Sequence, residues 1–189
     1  MEKGYLFIIS GPSAVGKTVV ADRIFKMDSK ISKVVTYTTR NQREGEVDGV
    51  DYNFVSREEF LKLEEEGQFV ESSLVYDNYY GVRLSSIMEK IEQGQDLLLL
   101  INWEGFQKIK KKVSDHVFGF FLTAPSIEEL ERRIRLRATD SDDVMQRRLR
   151  MAAEDMQHVS EFDVCIENVD IQDTADKILK KMNEIRQKV

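Results

Sequence analysis

The chain alternates short apolar runs with longer stretches of helical period. Tyr5–Ile9, Leu97–Ile101, Val117–Leu122 and Phe162–Ile166 are mostly apolar over a few residues, as expected for strands covered on both faces. Lys33–Tyr37 is β-branched and strand-like, and Tyr52–Val55 and Phe69–Val75 also read as strands. Helical patterns run from about Lys17 to Met27, over Leu84–Gln93, Trp103–Lys112 and Val144–Met156, and over Thr174–Ile185. Ser56 with Glu59 and Ser126 with Glu129 are capping boxes that open two more helices. Gly67 and Gly94 stop the helices before them. Asp140–Asp143 breaks the helical pattern between the last capping box and Val144. Strand and helix in alternation predict an α/β fold with a parallel sheet and helices on both of its faces. The segment from about Val35 to Gly81 departs from that alternation and reads as an inserted lobe.

At 189 residues the chain fits one such domain with small additions. Its formal net charge of −6 argues against a duplex nucleic-acid binder, which needs an excess of Lys and Arg to neutralise phosphates. The arginines are nevertheless clustered, at Arg132, Arg133, Arg135 and Arg137 and at Arg147, Arg148 and Arg150. Such clusters suit either a small anionic ligand or solvated helix faces with i,i+4 ion pairs. The apolar start at Tyr5–Ile9 is too short for a signal peptide or a membrane span, so no membrane partner is expected. The single cysteine, Cys165, excludes an internal disulfide and reads as a buried core thiol in a reducing, cytoplasmic setting. A monomer or a homodimer is expected.

Gly11-Pro12-Ser13-Ala14-Val15-Gly16-Lys17-Thr18 matches the phosphate-loop pattern in full, after a predicted strand and before a predicted helix. Glycines let backbone N–H groups turn inward around phosphates, and the following helix aims its positive end at the same anion. Lys17 is placed to reach the β- and γ-phosphates of ATP, and the Thr18 hydroxyl to ligate Mg²⁺.

A second set of motifs follows: Thr36-Tyr37-Thr38-Thr39-Arg40, then Arg43, Gly45-Glu46, Asp48-Gly49, Asp51-Tyr52, Phe54, Glu71 and Asn78-Tyr79-Tyr80-Gly81. Ala124-Pro125-Ser126, the stretch Arg133–Arg148, and Asp163 to Asn168 continue the series. With these residues in this order, nearly the whole chain resembles guanylate kinase. The resemblance implies a phosphate-loop NTPase fold, an acceptor lobe at about 35–82, a helical lid at about 133–157, and a core at 1–34, 83–132 and 158–189. It implies transfer of the ATP γ-phosphoryl group to GMP. Arg40 and Arg43 would fork onto the GMP phosphate, with Tyr52 and Tyr80 donating phenolic hydroxyls. Glu71 would accept the two adjacent donors of guanine, N1–H and the 2-amino group, with Thr36 near the guanine edge. Lys17, Arg40, Arg133, Arg137 and Arg148 would stabilise the transferring group, and Arg137 and Asn168 would contact ATP.

Three positions depart from the family pattern. Leu100-Ile101-Asn102 stands where the family has Asp-Ile-Asp, so an apolar side chain replaces a carboxylate near the metal, and Asn102 keeps the second residue's shape without its charge. Val82 replaces the Ser or Thr after Tyr-Tyr-Gly, and Ala14 replaces a loop glycine. These leave open a kinase of the same fold with another phosphorylated acceptor, or a weakly active binding protein.

Overall fold

The computed structural model describes residues 3–75, 77–136 and 142–187. Its main sheet comprises β1 (Leu6–Ser10), β2 (Ile31–Lys33), β7 (Asp96–Leu100), β8 (Val117–Thr123) and β9 (Val164–Glu167). The order is β2-β7-β1-β8-β9 with every pairing parallel. Side chains of β1 alternate between two cores, as the two-residue period of a strand requires. Phe7 and Ile9 join Leu98, Phe120 and Leu122 under helices α1 (Lys17–Met27), α5 (Ile127–Leu136) and α7 (Ile171–Arg186). Leu6 and Ile8 join Leu97, Leu99 and Phe121 under α3 (Leu84–Glu92) and α4 (Trp103–Lys112). The expected helix-covered parallel sheet is therefore present.

A second, four-stranded sheet is built by β3 (Tyr37–Thr38), β4 (Asn53–Phe54), β5 (Phe69–Val75) and β6 (Asn78–Arg83), in the order β4-β3-β6-β5. Its pairings are antiparallel except for β3 with β4. Helix α2 (Arg57–Glu65) packs beside it, with Ser56 accepting from the Glu59 N–H at 3.1 Å. Helix α6 (Asp142–Asp155) follows α5, and a short 3₁₀ turn at Met156–Glu161 leads into β9.

Two expectations are corrected. The single strand expected over Lys33–Tyr37 is two strands in two sheets. The Val34 N–H still donates to Leu98 O of the main sheet at 3.0 Å, after which the chain crosses to the second sheet at Tyr37. Cys165 is exposed rather than buried. It lies on the edge strand β9 and faces away from the core that takes Val164 and Ile166.

Candidate active site

Helix α1 begins on a loop built to hold an anion. Gly11 and Gly16 take φ of +136° and +104°, the left-handed side that glycine adopts without strain. A Cβ at Gly11 would lie 2.4 Å from Leu122 O, so the loop is also pressed against β8. No side chain caps α1 and no acidic residue lies in its first turn, which leaves its first N–H groups and its positive end to a ligand. Lys17 Nζ donates to the carbonyls of Gly11 and Pro12, the latter at 2.9 Å, and so lies over the loop. Ala14 sits at φ +63°, a conformation that costs a residue with a Cβ about 1–2 kcal/mol.

The second sheet gathers three of the expected acceptor residues. The buried Thr38 hydroxyl donates to Tyr79 O at 3.0 Å and accepts from the Arg40 N–H at 3.2 Å, tying β3 to β6. Thr38 is in register with Tyr80, and the Arg40 side chain hydrogen-bonds that of Tyr80. The rings of Tyr52 and Tyr80 meet edge to face, 6.1 Å between centroids. The Arg40 guanidinium lies 5.3 Å over the Tyr52 ring. Glu46, which sequence reasoning did not single out as a site residue, grips Arg40 with both oxygens at 2.7 and 3.1 Å and accepts from the Arg43 N–H at 2.8 Å. The Arg40 pair pulls the Glu46 carboxyl below its ordinary range. Arg43 is exposed beside this pair.

Glu71 is 7% exposed, beside a bulge in β5 and opposite Val82. Burial pushes its carboxyl above the usual range, with Lys108 of α4 opposing the shift and Glu104 adding to it. Val82 is buried in the apolar core. Asn102 caps α4, its Oδ1 accepting from the Gly105 N–H at 3.0 Å, so its carboxamide offers other groups mainly N–H donors.

A cavity of about 160 Å³ lies along α1, between that helix, β7 and the start of the second lobe. Thr18 of α1, Thr36, Tyr52 and Leu100 all line it. The Thr18 residue is exposed, and no group of three or more His, Cys, Asp or Glu side chains able to hold a metal occurs among the described residues.

The arginines are less fully assembled. Arg133 donates to Glu129 at 2.8 Å and, through both Nη atoms, to Asn168 O at 3.5 and 3.4 Å. Hydrogen bonds from Arg132 and then Arg133 pull the Glu129 carboxyl down to about 2. Arg148 is half-buried on α6, and Arg137 lies outside the described residues. Asn168, expected to contact ATP, is buried at the end of β9. Its carboxamide donates to Val15 O at 2.7 Å and accepts from the Thr174 hydroxyl at 2.8 Å, because the end of β9 packs directly against the phosphate loop. Asp155, also unanticipated, stands at the end of α6 near Lys17. Burial pushes its carboxyl up to about 6, against the opposing charge of Lys17. The Trp103 and His158 rings stack at 3.5 Å just beyond it, joining the turn after α6 to the start of α4.

The family model described as guanylate kinase matches residues 3–185 of this chain. The chain belongs to the guanylate kinase family. It is 43% identical to the guanylate kinase of Aromatoleum aromaticum over 93% of this chain and 86% of that one. Identity to the guanylate kinase of Clostridioides difficile is 38%, over 94% and 86% of the two chains. The crystal structure of guanylate kinase from Anaplasma phagocytophilum superposes with a TM-score of 0.77 at 35% identity, covering 97% of this chain and 87% of that one. A gluconokinase structure from Sinorhizobium meliloti, at 13% identity and a TM-score of 0.53, shares the fold alone. As a guanylate kinase family member the chain is a phosphotransferase that uses a nucleotide substrate. Among the described residues no helix is long and apolar enough to cross a membrane.

Proposed function

We propose that this chain transfers the γ-phosphoryl group of ATP to GMP, giving ADP and GDP. The observation that carries the reading is the shared cavity, where Thr18 of the ATP side meets Thr36 and Tyr52 of the acceptor side. ATP lies on the loop Gly11–Thr18, its phosphates capping α1 and drawing Lys17 off the loop carbonyls. GMP lies on the lobe at 35–82, its phosphate between Arg40, Arg43, Tyr52 and Tyr80 and its base against Glu71. The lid at 133–157 closes over both with Arg133, Arg137 and Arg148 and excludes water, the competing acceptor.

A phosphate oxygen of GMP attacks Pγ, and the bond from Pγ to the β,γ-bridging oxygen breaks to release ADP. The attacking oxygen already lacks a proton in the dianion, so no general base is required of the protein. Its residues position the two anions in line and neutralise the charge between them. Thr18 would hold Mg²⁺, which keeps several waters, binds chiefly through substrate phosphates and so needs no cage of carboxylates. When bound, the ion supplies charge neutralisation at the phosphates. We assign the cytoplasm as the setting and a monomer or a homodimer as the working form.

A coupled assay of ADP release with ATP, Mg²⁺ and GMP tests the reading. GMP-dependent turnover supports it, and its absence in folded protein overturns it.

A further inference from the structure

Asn168 is buried, 3% exposed, and its side chain and backbone together meet four separate parts of the fold. Its Nδ2 donates to Val15 O in the phosphate loop at 2.7 Å, and its Oδ1 accepts from the fully buried Thr174 hydroxyl of α7 at 2.8 Å. Its backbone carbonyl accepts from both Nη atoms of Arg133. Its backbone N–H donates to Thr123 O at 2.8 Å, which locks it to the end of β8. The orientation of the carboxamide is chemically determined, because a carbonyl such as Val15 O can only accept and therefore faces the NH₂ group.

From this geometry we propose that Asn168 is a positioning residue that sets the shape of the phosphate loop and ties it to the placement of Arg133. In a trans peptide the C=O and the next N–H point to opposite sides of a rigid plane. Holding Val15 O toward Asn168 therefore turns the Gly16 N–H the other way, toward the space the loop encloses. The loop packs closely here, since a Cβ at Gly16 would come within 2.6 Å of Nδ2. The Thr174 hydroxyl keeps the carboxamide from rotating. Through its own carbonyl the same residue receives the guanidinium expected to face the transferring phosphoryl group. Loop and arginine thus share one buried anchor.

The inference rests on the reading of Gly11–Thr18 as the ATP site. Its test measures binding of a non-hydrolysable ATP analogue and of GMP separately, by calorimetry, in the full chain. Asn168→Ala is expected to weaken the ATP analogue about tenfold, the effect of stranding one buried carbonyl, while leaving GMP within twofold. Thr174→Val, which preserves shape, is expected to give a smaller loss on the same ligand only, and it serves if Asn168→Ala does not fold. Equal binding of the analogue by wild type and both variants, or equal loss for both ligands, would overturn the inference. Failure of the wild type to bind the analogue would instead overturn the assignment of the ATP site.

Discussion

Glu46 holds Arg40 by a two-pronged ion pair at 2.7 and 3.1 Å, and the same carboxylate accepts the backbone N–H of Arg43 at 2.8 Å. One acid thus organises both arginines assigned to the acceptor phosphate. Arg40 is also laid against Tyr52 and Phe54, so its guanidinium is set before any phosphate arrives. Such preorganisation lowers the ordering cost of binding. Glu46→Gln keeps the shape and removes the charge. The expected result is a KM for GMP raised about tenfold with the KM for ATP unchanged, measured by initial rates with each substrate varied.

The buried carboxyl of Glu71 titrates above its ordinary range because burial disfavours the charge, with Lys108 and Glu104 facing it. Only the ionised form accepts both guanine donors; the protonated acid would present a donor to a donor. GMP affinity is therefore expected to fall as pH drops, with a midpoint higher than an ordinary carboxyl would give. A pH series of KM for GMP checks this. Glu71→Gln is expected to flatten that series and to lose GMP affinity throughout.

Asp155 is pushed up to about 6 from an ordinary 3.8 by burial near Lys17, Glu154, His158 and Glu104. Its folded pKa lies above its unfolded pKa. Below 3.8 both states are protonated and nothing is lost; between about 4 and 6 the unfolded state ionises first, and stability falls. An unscreened shift of this size corresponds to about 3 kcal/mol. The side chain is partly exposed, and solvent screening reduces the figure to about 1 kcal/mol. Asp155→Asn is expected to be more stable than wild type by that amount at pH 7 and equal to it at pH 3.5, as read by urea unfolding.

Ala14 occupies a left-handed conformation at φ +63° where glycine would be unstrained. Relief of about 1–2 kcal/mol of strain is partly offset by the greater freedom of glycine in the unfolded chain, about 0.4–1 kcal/mol. Ala14→Gly is expected to raise Tm by about 2 °C, with ATP binding retained. Scanning calorimetry reads the shift.

The alternation of apolar runs and capped helices was enough to read the three central strands of the main sheet, β7, β1 and β8, since each is buried on both faces and carries its own pattern. The crossing between Val34 and Tyr37 was not readable, because the β-branched residues on either side serve two different sheets and nothing local marks the change. Cys165 looks like core in its run, but sheet order alone decides that β9 is an edge. The loop Gly11–Thr18 was recognisable because its chemistry is contiguous. The roles of Asn168 and Asp155 depend on partners far away in the chain or on burial, which spacing does not encode, while that of Glu46 depends on how its loop folds back onto Arg40 and Arg43. Asn102 shows a related limit: its oxygen serves as the cap of α4, a local use that a resemblance at the level of motifs does not reveal.

The central claim is that ATP held on the Gly11–Thr18 loop phosphorylates a guanine nucleotide selected by Glu71. The most direct test is the initial rate of ADP formation by purified wild type and Glu71→Gln, with ATP and Mg²⁺ and either GMP or AMP as acceptor. The account predicts turnover by wild type that depends on GMP, negligible turnover with AMP, and a Glu71→Gln variant whose kcat/KM for GMP falls by about 10²-fold, as when a site built to pair buried polar groups loses that match. Absence of GMP-dependent turnover, or equal use of GMP and AMP by the wild type, would contradict it.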